Sequence, residues 1–336
     1  MSQIWEAIPE PNDLANDVER RIYPNAIVRE SLSTNGTVTT DTVVLATHLG
    51  VQKLEILRIQ ATWWSGPVSA SVHMSHREDI VVFLDFLQTH AEELRYVSFH
   101  IVLEKTNLPY PHNILRNLAL EYLDADFFVA TDVDFIPNFG AYRGLDSLLH
   151  DDKSKVRQCL VDRGLFVLPA FERFMPKDGR EVTEDMLPKT KADLQAQFKE
   201  KSVIGFHMGG SPLGHGPTNF QKFLRNNTEA FYDIEYKNVF EPYVMGYRPG
   251  IPRFWEEFRG YGYNKFSWYM ELHRACYEFY ALRDFYLVHM NHVMVRRTAK
   301  KEQTDANRES WREFKAYLSK RYQQTCLGHV NHSPAR

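Results

Sequence analysis

Two acidic residues one position apart, Asp132 and Asp134, and two histidines three apart, His289 and His292, have the types and spacing that suit chemistry. Asp132-Val133-Asp134 follows the apolar run Phe127 to Thr131, so it is expected at a strand end. Alternate residues of a strand share a face, so both carboxylates can hold one divalent cation through oxygen ligands. An uncompensated acidic pair against so apolar a strand is costly without a cation. The plain alternative is a strand-terminating turn. His289 follows a second apolar run, Phe285 to Val288, and an imidazole joined to carboxylate oxygens suits manganese. For any single histidine the competing reading is a satisfied structural residue.

The elements that must position these groups alternate. Thr42 to Thr47 reads as a strand and Leu49 to Trp63 as a helix, with apolar residues at helical spacing. Val68 to Val72 follows Gly66-Pro67 and leads to an amphipathic helix, Arg77 to Leu94, and a third strand, Val97 to Leu103. A helix over Asn113 to Leu123 precedes Phe127 to Thr131. Such alternation predicts an α/β fold with a mostly parallel, Rossmann-like sheet that binds ligands beyond its carboxyl edge. The second half is less regular. Leu165 to Ala170 reads as a strand, Glu184 to Lys201 as a charged helix, and Asp305 to Gln323 as a surface helix. Five glycines within Gly205 to Gly216 suggest a mobile loop over a site. Tyr, Phe and Trp interleave with Gly and Pro from Phe231 to Tyr286, a composition suited to apolar platforms with polar edges.

Composition bounds the function. At 336 residues, 43% hydrophobic and 25% charged, the chain has enough apolar side chains for a sizeable core and no reason for wholesale disorder. A net charge of -3 gives no basic face for nucleic acid or a membrane surface. Cys159, Cys276 and Cys326 form no CxxC pair, which leaves room for one disulfide but excludes a zinc ribbon. Met1 to Glu30 is polar, with no signal-like run and no membrane segment. Sequons at Asn35, Asn226 and Asn331 are too loose a pattern to fix a compartment.

Seven stretches in order carry a resemblance: Asn113 to Ala119, Thr131 to Pro137, Pro169 to Glu172, Gly214 to Phe220, Phe240 to Tyr243, Gly260 to Lys265, and Met270 to Leu272 with Val288-His289. Together they resemble glycosyltransferase family 49 over roughly residues 41–325. The resemblance implies a GT-A fold, an inverting reaction, a Mn2+ (or Mg2+) cofactor and a UDP-sugar donor, with glucuronic acid leading. It implies a polar arm over 1–40 and one catalytic domain over 41–325. That domain divides into a nucleotide-sugar-binding half over 41–150 and an acceptor-binding half over 151–325, followed by a tail over 326–336. The acceptor would be an oligosaccharide or glycoprotein. The family's animal members imply the Golgi lumen, whereas a chain beginning with a polar arm leaves the cytoplasm open.

Carried over residue by residue, the resemblance puts Asp132 and Asp134 on the metal, with His289 as a further ligand and His292 as a weaker candidate. Arg116 would face the diphosphate or donor sugar; its spacing alone also allows a helix salt bridge to Glu121 or Asp124. Asn113 and Asn117 would bind donor or cap the helix. Asn264 would bind donor hydroxyls, and Lys265 would recognise a donor carboxylate or else lie on the surface. His215, after the glycine-rich loop, would close over the donor and exclude water. An inverting transfer needs one carboxylate base. Glu271 is the choice, with Glu172 and Glu241 as rivals that could instead pin sugar hydroxyls. Tyr243, Tyr261, Tyr263, Trp268 and Tyr269 divide between core and sugar-stacking platforms.

Two other functions compete. A metal-dependent hydrolase could use the same aspartates and histidines, but no helical HExxH is present. A carbohydrate-binding protein without turnover would have no need to keep both aspartates, His289 and a candidate base.

Overall fold

The structure, a computed structural model, describes residues 20–28, 40–104, 108–175, 182–225, 229–291 and 301–323. Among them the strands are β1 (Arg20–Ile27), β2 (Val43–Gly50), β3 (Val68–Met74), β4 (Val97–Glu104), β5 (Phe127–Ala130), β6 (Phe135–Pro137), β7 (Gly164–Leu168), β8 (Ala170–Arg173), β9 (Val203–Gly205), β10 (Phe231–Ile234), β11 (Tyr243–Tyr247), β12 (Glu278–Leu282) and β13 (Leu287–His289). The helices are α1 (Leu54–Trp64), α2 (Arg77–Thr89), α3 (His112–Glu121), α4 (Ala141–His150), α5 (Val156–Val161), α6 (Lys191–Lys199), α7 (Pro212–His215), α8 (Phe220–Leu224), α9 (Phe266–Arg274) and α10 (Lys301–Arg321). Nine strands form one sheet in the order β1-β4-β3-β2-β5-β11-β7-β12-β10, and four form a second in the order β6-β13-β8-β9.

β2 to β5 are mutually parallel, in the spatial order β4-β3-β2-β5, so the α/β, Rossmann-like expectation holds there, but β1, β11 and β10 pair antiparallel with their neighbours and the large sheet as a whole is mixed, not mostly parallel. Every residue of β2 and of β4 is buried, as strands covered on both faces require. Alternate residues serve different layers. Val43, Leu45 and Leu49 pack with α2 and α4 through Phe83, Leu145 and Leu149, whereas Val44 and Ala46 face α3 through Ala119 and Leu120. This alternation puts every second residue of β2 on the α3 side, His48 included.

Several boundaries differ from the sequence expectations. β2 runs on to Gly50 and α1 starts only at Leu54, because Leu49 fills the strand's core position rather than a helix face. Pro169 separates β7 from β8, two strands of different sheets read as one run. Pro188 likewise restricts the charged helix to α6, with only a short 3-10 turn at Glu184–Met186 before it. The expected surface helix is docked: α10 buries Asn307, Phe314 and Leu318, and the last two pack with Phe258. β1 lies within the stretch read as a polar arm and pairs with β4 along the sheet edge. Cys276 is disulfide-bonded and Cys159 is free. No helix among the described residues is long and apolar enough to cross a membrane.

The two sheets are joined through the Asp132-Val133-Asp134 turn. β5 ends at Ala130 in the large sheet, the amide of Phe135 donates to the Asp132 carbonyl at 3.1 Å, and β6 begins at once in the small sheet. Gln60, fully buried on α1, clamps this turn by donating from Nε2 to the carbonyls of Asp132 (3.2 Å) and Phe135 (2.9 Å). Replacing Gln60 by Leu strips both carbonyls of that donor and is expected to cost about 2 kcal/mol. In denaturant titration this would appear as a lower midpoint at unchanged slope; an unchanged midpoint would mean that the turn holds itself.

Candidate functional site

Strand register builds the site. Val44 lies opposite Phe128 and Ala46 opposite Ala130 in the β2–β5 pair, so the next step along each chain brings His48 beside Asp132. His48 Nε2 is 3.1 Å from Asp132 Oδ1. The Asp132 carboxylate accepts there, so Nε2 carries the proton and Nδ1 accepts from the Tyr110 hydroxyl at 3.1 Å. Burial keeps the His48 pKa below its ordinary value, against the pull of Asp132.

Asp132 is the hub. Besides His48, its Oδ1 accepts from Arg116 Nη2 at 3.0 Å, and its Oδ2 accepts from the Tyr243 hydroxyl at 2.8 Å and from Lys265 Nζ at 3.4 Å. Burial opposes ionisation of this carboxyl, but Lys265, Arg116 and His48 outweigh it and hold the pKa well below the usual aspartate range. Lys265 also donates to the Tyr243 hydroxyl at 2.9 Å and lies 4.1 Å from the centre of that ring. These residues line a pocket floored by the carboxyl ends of β2 and β5, with Phe254 and Tyr269 on its wall.

Asp134 points elsewhere, because the tripeptide is a turn and not a strand. Its Oδ2 accepts from Lys53 Nζ at 2.7 Å and lies 3.6 Å from His289 Nε2. The expected set of Asp132, Asp134 and His289 is therefore not gathered around one point. Among the described residues no group of three or more His, Cys, Asp or Glu side chains stands ready to hold a metal ion. Asp134 and His289 do fit one as a pair. Asn291 Nδ2 donates to the Arg173 carbonyl at 2.6 Å, which turns its Oδ1 toward His289 Nδ1 at 2.8 Å. Nδ1 is thus engaged with Asn291 and Nε2 is the nitrogen that faces Asp134, whose Oδ2 also accepts from Lys53; the imidazole nitrogen and carboxylate oxygen are donor types that suit a manganese ion. His292 lies outside the described residues.

The remaining expected residues divide. Asn113, Arg116 and Asn117 share one face of α3 at i, i+3 and i+4 spacing. Arg116 bonds Asn113 Oδ1, Asn264 Oδ1 and Asp132, not Glu121 or Asp124. Asn113 and Asn117 neither cap the helix nor face the pocket; they donate to the carbonyls of Trp255 and Phe254, at 2.7 and 2.9 Å, and so clamp the neighbouring loop. Asn264 Nδ2 donates to the Gly260 carbonyl at 2.6 Å. His215 is buried beside Phe206 and Tyr243, and burial together with Lys265 holds its pKa well below the usual histidine value. Glu172 lies opposite His289 in the β8–β13 register, and burial raises its carboxyl pKa. Glu241 donates its amide to the Gly214 carbonyl, tying the glycine-rich segment to the start of β11.

Glu271, expected as the base, does not face this pocket. Tyr269 lines it, and two residues along a helix is a rotation of about 200°. Glu271 is 2% exposed and accepts from Tyr317 at 2.9 Å and Tyr322 at 3.1 Å. Of the candidate aromatic platforms, Tyr243, Trp268 and Tyr269 are buried, Tyr263 stacks on Trp311, and Tyr261 is 72% exposed. Sequence reasoning missed His48, Lys53 and Tyr110. His48 sits two residues from the end of a largely apolar parallel strand, which was the signal available.

A family model described as glycosyl-transferase for dystroglycan matches residues 104–323. The chain is 31% identical over 255 residues to xylosyl- and glucuronyltransferase LARGE1 of Mus musculus, covering 75% of this chain and 31% of that protein. It is 28% identical over 373 residues to beta-1,4-glucuronyltransferase 1 of Mus musculus, covering 96% of this chain and 84% of that one. The chain thus spans about a third of the length of the LARGE1 relative. Among solved structures, GalNAc-T7 with UDP, GalNAc and Mn2+ aligns with a TM-score of 0.44 at 10% identity, over 87% of this chain and 52% of that one. Nothing about the site follows from so distant a likeness.

Asp132→Asn leaves Arg116 and Lys265 facing each other without their anion and is expected to cost about 3 kcal/mol at neutral pH. Because the folded pKa is depressed, the carboxylate's contribution is complete above the ordinary aspartate value of about 4 and is lost as pH falls through the lower folded value. The gap between wild type and variant should therefore stay level from neutral pH down to mildly acidic pH and close below it. A gap that does not change with acid would remove the ion-pair account.

Proposed function

The chain belongs to the family of glycosyl-transferases for dystroglycan, and from that membership we propose that it transfers a sugar, with inversion, from a UDP-sugar to a hydroxyl of an oligosaccharide or glycoprotein. The donor is a glucuronyl nucleotide, in keeping with the glucuronyltransferase names of both relatives. The observation that carries the reading is the meeting of Asp134 Oδ2 and His289 Nε2, 3.6 Å apart, just beyond the carboxyl end of the parallel strand β5. Ligands of α/β sheets bind in the crevice beyond such strand ends.

Asp134 and His289 would hold a manganese or magnesium ion, which when bound supplies Lewis-acid stabilisation of the departing diphosphate. Asp132 has a different task. Its two oxygens already accept from four side chains, so it fixes Arg116 and Lys265 in place beside the donor. Lys265 is thereby engaged with Asp132, which supports a positioning role for it rather than recognition of a donor carboxylate. Arg116, held from three directions, presents a preorganised cation to the nucleotide. Glu172 takes the role first given to Glu271: it removes the proton of the acceptor hydroxyl while that oxygen bonds to the anomeric carbon and the carbon–diphosphate bond breaks, releasing UDP. A pKa raised by burial supports Glu172 as a stronger base than an ordinary glutamate. His215 and the glycine-rich segment beside it would shield the donor from water.

A panel of UDP-sugars (glucuronic acid, xylose, glucose and N-acetylglucosamine) with and without Mn2+ tests the reading by product mass. Transfer from the glucuronyl donor is expected only with metal; turnover of another sugar would overturn the donor assignment and keep the rest. Mn2+ affinity measured by calorimetry should fall at least about tenfold in both Asp134→Ala and His289→Ala. If either variant binds Mn2+ like the wild type, that side chain is not a ligand. Glu172→Gln should reduce kcat about 100-fold or more. In the wild type, activity should be lost as pH falls through the pKa of the base in the metal-loaded enzyme. An acid limb that persists unchanged in the residual activity of Glu172→Gln would assign the base elsewhere, with Glu241 next to be replaced.

A further inference from the structure

The turn from Gly260 to Tyr263 has an unusual backbone conformation. Gly260, Gly262 and Tyr263 have φ of 59°, 94° and 62°, the left-handed region that costs a side-chain-bearing residue most. Yet the next two residues, Asn264 and Lys265, are those that reach Arg116, Asp132 and Tyr243. The Gly260 amide donates to the Tyr110 carbonyl and the Gly260 carbonyl accepts from Asn264, and the groups on either side of Gly260 are satisfied from α10. Asn307, 2% exposed on a helix that is otherwise largely open to solvent, donates from Nδ2 to the carbonyls of Arg259 (2.9 Å) and Tyr261 (3.0 Å), and its Oδ1 accepts from the Arg259 amide at 3.3 Å. Gln303 adds a donor to the Arg259 carbonyl at 2.6 Å. One helical turn further along, Trp311 stacks on Tyr263 with ring centres 5.0 Å apart. The approach is close enough that a Cβ on Gly260 would come within 1.8 Å of Gln303 Nε2.

We propose that Asn307 is a positioning residue for the donor site. By pinning the Arg259 and Tyr261 carbonyls it keeps the turn wound, and the wound turn aims Asn264 at Arg116 and Lys265 at Asp132. Without it the turn relaxes toward ordinary φ values and both contacts loosen, although Asn307 itself touches neither pocket nor ligand. The proposal rests on the transferase reading, because its effect is seen as donor affinity.

The test compares wild type, Asn307→Ala, Asn307→Asp and a control, Leu318→Ala. Leu318 is buried on the same helix but packs with Phe258 and Phe314 and makes no contact with the turn's carbonyls. Asn307→Asp keeps an acceptor for the Arg259 amide and loses the donor. Both Asn307 variants are expected to raise the donor KM and the Kd for UDP about tenfold at nearly unchanged kcat. They should also speed amide exchange over residues 259–265, whereas Leu318→Ala lowers Tm without moving KM. Wild-type KM in Asn307→Ala, or an equal KM rise in Leu318→Ala, would overturn the proposal. If the wild type binds no UDP at all, the transferase reading fails instead. Amide exchange over 259–265 then still decides whether Asn307 holds the turn, and unchanged exchange refutes it.

Discussion

A single anionic carboxylate, Asp132, sets the constraint that the rest of the site obeys. Arg116 and Lys265 come from distant segments and would repel one another if brought to the same pocket wall unopposed. Asp132 makes their approach favourable, and low solvent access strengthens each contact while penalising any that is missing. The backbone around it follows from this demand. α3 must present Arg116 toward the sheet, β11 must bring up Tyr243, and the residues before α9 must deliver Lys265, so three separate segments are fixed relative to β5 by one side chain.

The DVD turn gives that side chain its second role. It separates two carboxylates that a continuous strand would have kept on one face, sending Asp132 to the large sheet's pocket and Asp134 toward the small sheet's His289. One tripeptide thus serves a charge hub on one side and the contact with His289 on the other. Gln60 fixes the angle between them by holding both ends of the turn from a helix belonging to neither sheet.

Much of this was legible in the sequence where the signal is local. The alternation of strand-like and helix-like stretches, ending in the apolar run of β5, reported a helix-covered sheet; residue type and place picked out Asp132, Asp134 and His289, and the family resemblance added Arg116. What escaped depended on register or on helical phase. His48 becomes Asp132's partner only through the pairing of β2 with β5, 84 residues apart in sequence. Lys53 reaches Asp134 only because the chain runs on as strand to Gly50 and turns before α1. Glu271 is two residues from the pocket-lining Tyr269, and a motif records that spacing without recording that a helix turns it to the opposite side. Asn113 and Asn117 were singled out through the family resemblance, as donor-binding or helix-capping residues. Their partners, the carbonyls of a loop some 140 residues later, carry no sequence mark.

The docking of α10 has a consequence for how the molecule comes into being. During synthesis the chain emerges from its amino end, and the parallel sheet with His48, Arg116 and Asp132 is complete long before residue 307 appears. Until then the left-handed turn before α9 has no outside donors for its carbonyls, so Asn264 and Lys265 stay unaimed. If α10 holds the turn as proposed, the pocket is assembled from its floor upward, and a nascent or carboxyl-truncated chain would own a nearly finished fold with a loosely held donor site.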